Sequence, residues 1–252
     1  MDVALFIPCY VDQLAPSVGI ATVEVLERVG CRVRYDPGQT CCGQPFVTAG
    51  EWSQARRLAR RYLDRFAGAD AVVCPSASCV ATVRRRYAEL SLGDTRVVKE
   101  VGARTYELSE FLVRVLNGPD VGARFPYRVA LLQSCHGLRE LHLGHPSEAV
   151  EIEDSAPGPT EAVLRAVRDL ELVLPDPPDE CCGFGGLFSV HFPEISTRIG
   201  RSRLVALAAT GASHFTSTDA SCLFHLEGLG RRAAIGPRPI HLAEILAWSE
   251  ER

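Results

Sequence analysis

The chain has 252 residues, of which 46% are hydrophobic and 23% are charged, and its formal net charge is −4. This composition is typical of a globular protein that can bury a substantial core, and it gives no electrostatic basis for binding nucleic acid or an anionic membrane surface. The N-terminal apolar run stops at Pro8, too early for a signal peptide, and no apolar run approaches the roughly 20 residues that span a bilayer. We therefore expect a cytoplasmic protein. Ten cysteines in that compartment indicate metal or redox chemistry rather than structural disulfides.

The first half of the chain is predicted to alternate between strands and helices. Short apolar runs at 3–7, 31–35 and 69–74 are typical of strands that are buried on both faces. Apolar residues with helical spacing follow each of these runs. The helices are predicted at 20–29, 51–66, 76–90 and 108–116.

The second half is predicted to repeat this plan. Strands are expected at 127–133, 170–174 and 213–216, and an acidic, exposed segment at 149–155. Helices are expected at 135–143, 160–169, 193–209 and 220–229. This alternation predicts an α/β protein with two pseudo-symmetric lobes, each a small, mostly parallel sheet flanked by helices. We place the lobes at residues 1–123 and 124–252.

Each half carries the same cysteine pattern, which indicates an internal duplication. A single cysteine ends a predicted strand, a Cys-Cys-Gly motif follows, and an Ala-Ser-Cys sequence completes the pattern. The intervening segments have 31 and 36 residues in the first copy and 45 and 39 in the second. We call Cys9, Cys41, Cys42 and Cys79 the first set, and Cys135, Cys181, Cys182 and Cys222 the second set.

The predicted elements place each set at one edge of its sheet. Ligands of open parallel sheets bind outside the carboxyl ends of the strands, so we expect two pockets, one in each lobe. Cys79 and Cys222 fall in first helical turns, where free backbone amides favour a thiolate. Ser76 is a predicted N-cap for the first of these helices, and Ser217 or Thr218 for the second.

The glycine of each Cys-Cys-Gly motif has an expected use beside a cluster. Gly43 and Gly183 permit the sharp bend that two adjacent thiolates need in order to face one group. Their N–H groups can donate to a cluster sulfide. Four thiolates at long separations favour an iron–sulfur cluster, with zinc as the alternative, because structural zinc sites usually contain two close Cys-x-x-Cys pairs.

At these residues the sequence resembles the cysteine-rich Cys-Cys-Gly domain family, which includes a component of heterodisulfide reductase and the iron–sulfur subunit of glycolate oxidase. The resemblance covers nearly the whole chain. The stretches Cys74-Pro75-Ser76-Ala77-Ser78-Cys79 and Ser134-Cys135-His136-Gly137-Leu138 look most like its lactate-utilization branch. Proteins of that branch work with two partner proteins to oxidise L-lactate to pyruvate. The resemblance implies one 4Fe-4S cluster in each lobe, held by the two sets.

The chain departs from the heterodisulfide reductase pattern, which closes each motif with Cys-x-x-Cys and has five thiols for each cluster. Ser76 and Asp219 stand at the first of those cysteines here. Four thiols still suffice for an ordinary cubane cluster. Cys74 is a candidate fifth thiol in the first half, whereas Ser217 occupies that place in the second. Cys31 lies in a predicted strand and is expected to be a buried core residue.

His136 follows Cys135 directly, so a Cys–His nucleophilic pair is one interpretation. Adjacent residues on a helix do not face each other, which favours His136 as a hydrogen-bond donor to the cluster or as a capping residue. Arg139 could offset cluster charge, or it could be an exposed helical arginine. No nucleotide or flavin fingerprint is present in the sequence, so we expect no hydride chemistry in this chain.

The cysteine pattern predicts an iron–sulfur electron-transfer protein without a catalytic residue of its own, and the resemblance implies that it is a subunit of an L-lactate (2-hydroxy acid) oxidising complex. Its expected partners are two other lactate-utilization subunits. We also expect a peripheral association with a respiratory membrane complex. Two alternatives stay open. One is a zinc-binding structural or assembly protein, and the other is a heterodisulfide-reductase-like thiol–disulfide oxidoreductase.

Overall fold

The structure is a computed structural model that describes residues 1–147 and 156–249. The acidic segment predicted at 149–155 lies outside the described residues.

Two four-stranded, fully parallel sheets form the centre of the molecule. The first has the order β2-β1-β3-β4 and the second has the equivalent order β6-β5-β7-β8. This confirms the predicted α/β class and its two related sheets. The strands are β1 (Asp2–Leu5), β2 (Arg32–Tyr35), β3 (Val72–Cys74), β4 (Thr105–Glu107), β5 (Arg128–Leu131), β6 (Glu171–Val173), β7 (His214–Ser217) and β8 (Arg238–His241).

Helices cover both sheets, as parallel strands with crossover connections require. Those of the first half are α1 (Cys9–Leu14), α2 (Pro16–Arg28), α3 (Gln44–Thr48), α4 (Trp52–Phe66), α5 (Ala77–Ala81), α6 (Thr95–Ala103) and α7 (Leu108–Glu110). Those of the second half are α8 (Pro159–Arg165), α9 (Leu187–His191), α10 (Pro193–Ala209), α11 (Ala220–Ala233) and α12 (Leu242–Ala247).

Several helical segments contain π turns. The helix predicted at 76–90 begins as α5 and continues as a π turn, Thr82–Arg86, and a short 3₁₀ segment, Tyr87–Leu90. Helix α7 likewise continues as the π turn Phe111–Val115. The helix predicted at 135–143 is reduced to one π turn, His136–Glu140.

The fourth strand of each sheet and helix α6 are not predicted from the sequence. Strand β4 has only three residues and ends in Glu107, and β8 contains Pro239, so neither shows the apolar run of a buried strand. Proline is tolerated in β8 because this strand lies at the edge of its sheet.

The two halves share one apolar core. Helix α12 packs on α2, and the equivalent helices of the opposite halves, α7 with its π turn and α8, also pack together. One buried cluster therefore contains Val25 and Leu26 of α2 together with Ile245 and Leu246 of α12. Arg28 joins the same helices, because its guanidinium donates hydrogen bonds to the carbonyl oxygens of Leu246 and Ala247 at 2.8 and 3.1 Å. The duplicated halves thus pack on each other through equivalent pairs of helices.

Candidate metal centre

Both cysteine sets lie beyond the carboxyl ends of the strands, as predicted. Cys9 opens α1 after β1, and Cys135 stands just before the π turn after β5. Cys79 and Cys222 are the third residues of α5 and α11. The paired cysteines occupy the loops before α3 and α9.

All eight cysteines line one cavity of about 380 Å³. We expected two pockets, one in each lobe, and the structure instead brings both sets to the same space. The reason is the packing of the halves, which turns the cysteine-bearing edges of the two sheets towards each other. The first and second sets therefore form opposite parts of one lining.

Within the first set, each thiol contacts at least one other thiol of the set. The Sγ atoms of Cys42 and Cys79 are 3.4 Å apart. Cys41 accepts hydrogen bonds from the thiols of Cys42 and Cys9, and these bonds lower the pKa of Cys41 to about 3. The same contact raises the pKa of Cys9. The first set therefore loses a proton at Cys41 before it does so at Cys9 or Cys42.

The second set has the same arrangement. The Sγ atoms of Cys182 and Cys222 are 2.9 Å apart. Hydrogen bonds from Cys135 and Cys182 lower the pKa of Cys181 to about 2, and they raise the pKa of both donors. Each set thus offers a deprotonated sulfur at neutral pH, which is the form that binds metal.

The motif glycines support that deprotonated sulfur. Gly43 and Gly183 have φ angles of +91° and +86°, in the left-handed region that favours glycine. Each glycine N–H donates to the sulfur two residues earlier, on Cys41 and Cys181, with an N–Sγ distance of 3.3 Å in both cases. The glycine thus bends the chain and directs an amide at sulfur.

Ser76 is the N-cap of α5, as predicted, and its hydroxyl accepts from the Cys79 amide at 3.4 Å. The capping prediction for Ser217 or Thr218 is wrong. The N-cap of α11 is Asp219, and its side chain makes no capping hydrogen bond to that helix. Asp219 instead accepts from Ser76 Oγ at 2.8 Å, across the contact between the halves.

His136 contacts groups of both halves. Its Nδ1 lies 3.6 Å from Cys135 Sγ, and its Nε2 lies 3.2 Å from Nε2 of Gln44 in α3. The expectation that His136 and Cys135 do not face each other is therefore wrong. Cys135 precedes the π turn, and the ring nitrogen nearest the backbone reaches back to it.

The two remaining cysteines differ in position. Cys31 is buried in the core, which confirms the prediction. Cys74 is fully buried at the end of β3 and contacts Cys79 from behind the cavity, and this contact helps to lower the pKa of Cys79 to about 5, after the larger effect of Cys42. Ser217 occupies the equivalent place in the second half.

Several cavity residues are not identified as functional by the sequence. Tyr10 and Phe184 approach edge to face with ring centroids 6.0 Å apart, so one ring from each half lines the cavity. Tyr87 lies behind the first set and donates to the Cys42 carbonyl oxygen at 2.8 Å. Asp219 stands out in the sequence only as a departure from a pattern. No local motif marks the three aromatic side chains, whose positions depend on how the chain packs.

The residues fit an iron–sulfur group in donor chemistry. Each set supplies four thiols, at least one of them with a lowered pKa, and a backbone amide directed at sulfur, as cluster sites do. Among residues 1–147 and 156–249, no group of three or more His, Cys, Asp and Glu side chains is arranged to hold a single ion. In the same part of the chain, no helix has the length and apolar character of a membrane span.

Comparison with known proteins agrees with the duplication. The model of the CCG family, described as a cysteine-rich domain, matches residues 3–84 and 129–227. "Lactate utilization protein A" of Shouchella clausii is 38% identical, over 99% of this chain and 100% of its own length. The proteins of the same name from Geobacillus thermodenitrificans and Bacillus subtilis are 37% and 35% identical, and each comparison covers at least 98% of both chains. This chain therefore belongs to the CCG cysteine-rich domain family and contains that domain twice.

Proposed function

We propose that this chain is an iron–sulfur electron-transfer subunit of a complex that oxidises L-lactate or a related 2-hydroxy acid. The observation that carries the proposal is the convergence of eight cysteines, four from each copy of the repeat, on one cavity. The relatives named Lactate utilization protein A support the substrate class.

The first set would hold one 4Fe-4S cluster and the second set another. A bound cluster supplies one-electron transfer. The Gly43 and Gly183 amides donate to ligand sulfurs, and Ser76 fixes the helix that carries Cys79. His136 touches Cys135 and places its second ring nitrogen against the first half.

Substrate oxidation would belong to a partner, since the sequence has no nucleotide or flavin fingerprint. We propose two further lactate-utilization proteins as partners, a cytoplasmic location, and peripheral contact with a respiratory membrane complex. A tagged chain should co-purify with two proteins from cells grown on lactate, and with neither after growth on glucose. Recovery of the tagged chain alone under both conditions would contradict this assignment.

Metal analysis of anaerobically purified protein tests the cofactor. We expect iron and acid-labile sulfide in equal amounts and broad visible absorbance, both reduced in Cys41→Ser and in Cys181→Ser. Cys31→Ala, which changes a buried cysteine outside the cavity, is the matched control and should keep its iron. Colourless protein with bound zinc would instead support the zinc-braced assembly protein.

Thiol–disulfide exchange is a second candidate function, favoured by the short Sγ–Sγ distances of 3.4 Å (Cys42–Cys79) and 2.9 Å (Cys182–Cys222). Metal-free protein would then reduce a small organic disulfide repeatedly with a dithiol donor. Loss of turnover in Cys79→Ser and Cys222→Ser would support exchange. Turnover equal to the uncatalysed rate would exclude it.

A further inference from the structure

Asp219 is a buried carboxylate at the contact between the halves, with only 2% of its surface exposed. It stands at the N-cap of α11, where an aspartate ordinarily accepts from the amides of its own helix. Asp219 makes no such bond. Its oxygens accept instead from Ser76, Ser78 and Ser134, which belong to other segments.

Every one of these donors lies close to a cysteine of the cavity. The Ser78 amide, which donates to Asp219 Oδ1 at 3.1 Å, immediately precedes Cys79. The Ser134 hydroxyl, which donates to Oδ2, immediately precedes Cys135. Asp219 itself lies three residues before Cys222. One carboxylate thus connects the segments that carry three of the cysteines, and these cysteines belong to both sets.

The Ser134 hydroxyl extends the connection. Its oxygen also accepts from the Gly137 amide at 3.2 Å, inside the π turn that follows Cys135. Ser76 has a similar double role, because its oxygen accepts from the Cys79 amide while its hydrogen is directed at Asp219. Each of the two serines, Ser76 and Ser134, therefore connects the Asp219 carboxylate to a backbone amide at or near a cysteine.

The charge of Asp219 opposes thiolate formation, since like charges at short range in a buried site repel. A stabilising electrostatic effect on the thiolates therefore cannot be its role. Burial of a carboxylate is tolerated when hydrogen bonds satisfy it, and charge-assisted bonds are stronger than neutral ones. Asp219 therefore contributes by fixing the positions of the segments that donate hydrogen bonds to it.

The duplication pairs a hydroxyl with a carboxylate at the contact between the halves. Ser76 and Asp219 occupy equivalent positions in the two copies, each three residues before the last cysteine of its set. The Ser76 hydroxyl donates to Asp219 Oδ1 at 2.8 Å, across the contact between the halves. Two carboxylates there would repel, whereas a hydroxyl and a carboxylate form a hydrogen bond.

We propose that Asp219 is a positioning residue for both cysteine sets, and that it holds Cys79 of the first half and Cys135 of the second through one shared network. The geometric part of this proposal stands without a bound cofactor. Its consequence for cluster loading rests on the proposed function, so the two parts have separate readouts.

The geometric part is tested on metal-free, reduced protein by the rate at which iodoacetamide alkylates each cysteine, read by mass spectrometry. In Asp219→Asn we expect the rates at Cys79 and Cys135 to rise about tenfold, the effect of one charge-assisted hydrogen bond on local opening. Asp94→Asn, which makes the same substitution at the exposed N-cap of helix α6, is the matched control and should leave these rates unchanged. A change confined to Cys222, or no change, would overturn the proposal.

A second variant covers the case in which Asp219→Asn fails to fold. Ser134→Ala removes one donor and leaves the bonds to Ser76 and Ser78, so alkylation should rise at Cys135 and stay unchanged at Cys79. Equal increases at both cysteines would indicate general loosening and would contradict a directed network.

Cluster loading is tested in two single-set backgrounds, one with Cys41→Ser and Cys42→Ser, the other with Cys181→Ser and Cys182→Ser. Addition of Asp219→Asn should lower the iron content in both. A loss only in the background that keeps the second set would show that Asp219 serves its own half alone. If neither background binds iron before Asp219 is changed, the proposed function fails, and the alkylation result still decides the geometric part.

Discussion

Gly43 and Gly183 have the same backbone conformation and different surroundings. A Cβ on Gly43 would meet nothing closer than 3.6 Å, whereas a Cβ on Gly183 would lie 2.7 Å from the Ser196 carbonyl oxygen. An alanine at either position would be strained by the left-handed backbone conformation, and at Gly183 its Cβ would also overlap with backbone atoms.

We predict that Gly43→Ala lowers the free energy of unfolding by about 1 kcal/mol, the cost of the left-handed conformation. Gly183→Ala should lower it by about 3 kcal/mol, because the overlap forces α10 to move. Urea denaturation of the metal-free protein measures both. Gly211→Ala has a left-handed φ of +67° with no atom within 4 Å, so it is the control for strain alone. Equal losses at Gly43 and Gly183 would show that the overlap is relieved.

Glu107 is a second residue whose surroundings determine its behaviour. It is fully buried, and one carboxylate oxygen accepts from the amides of Ser109 and Glu110 at 2.7 and 3.3 Å. Its other oxygen, Oε1, has no hydrogen-bond partner in the part of the chain that the structure describes. Burial raises the pKa of Glu107 to about 8.

A raised carboxyl pKa has a defined effect on stability. The folded protein keeps the Glu107 proton while the unfolded chain releases it, so stability should fall as pH rises from about 4.5 to about 8, by at most about 1.4 kcal/mol per pH unit. We predict that Glu107→Gln removes this pH dependence of the free energy of unfolding. The stability of the variant relative to the wild type should therefore be greater at pH 8 than at pH 5. Urea midpoints at several pH values measure it, with the exposed Glu100→Gln as control. Parallel curves for the wild type and Glu107→Gln would contradict the assignment.

At the scale of elements, α10 fixes the loop that leads into the second Cys-Cys-Gly motif. Arg203 is fully buried in this helix and donates hydrogen bonds to the carbonyl oxygens of Pro177 and Pro178, the latter at 2.7 Å. This proline-rich loop offers few amides for regular secondary structure. The hydrogen bonds of Arg203 therefore order the loop before Cys181, which has no regular secondary structure of its own.

We predict that Arg203→Met lowers the free energy of unfolding by about 2 kcal/mol, because the carbonyl groups of Pro177 and Pro178 lose a charged donor from a buried side chain. Alkylation of Cys181 should accelerate while that of Cys41 stays unchanged. Arg201→Met changes an exposed arginine of the same helix and should have no effect on either. Equal acceleration at Cys41 and Cys181 would show that the loop is not ordered by Arg203.

The elements could be predicted from the sequence where a strong apolar period was present. Helix α4 spans Trp52–Phe66, where its pattern predicts a helix at 51–66, and the cysteine pattern placed both sets at the carboxyl ends of strands. Strands β4 and β8 could not be predicted, because each ends in a buried polar residue, Glu107 or His241, that caps the next helix. Whether a polar residue caps a helix depends on three-dimensional contacts. The alternation of apolar and polar residues that predicts a strand does not show those contacts.

At the scale of the whole molecule, the contacts between helices of the two halves determine how the chain folds. Helix α12 of the second half packs on α2 of the first, and α8 packs on α7, so each half covers apolar helix faces of the other. The boundary that we propose near residue 124 is therefore a boundary of the duplication. The sequence indicated two copies, and their periodicity contained no information on this mutual packing or on the shared cavity that results.

We predict that fragments 1–123 and 124–252 do not fold separately, because each exposes the apolar faces that the other covers. Circular dichroism should show no cooperative melting for either fragment, and mixing them should restore it. The intact chain should unfold in one transition. A cooperative transition in an isolated fragment would show that the halves are independent domains.

Cys74 contacts Cys79, and Ser217 stands at the equivalent position of the second copy, so the duplicated sites have identical donor atoms and different neighbours. A polarizable thiol in one site and a hydroxyl in the other change the hydrogen bonding and local polarity around the sulfur, which tune a reduction potential. Two centres bound here would therefore have unequal midpoint potentials. In the electron-transfer role that we propose, electrons would populate the two centres in a fixed order, and exchange of Cys74 and Ser217 would change the difference between their potentials.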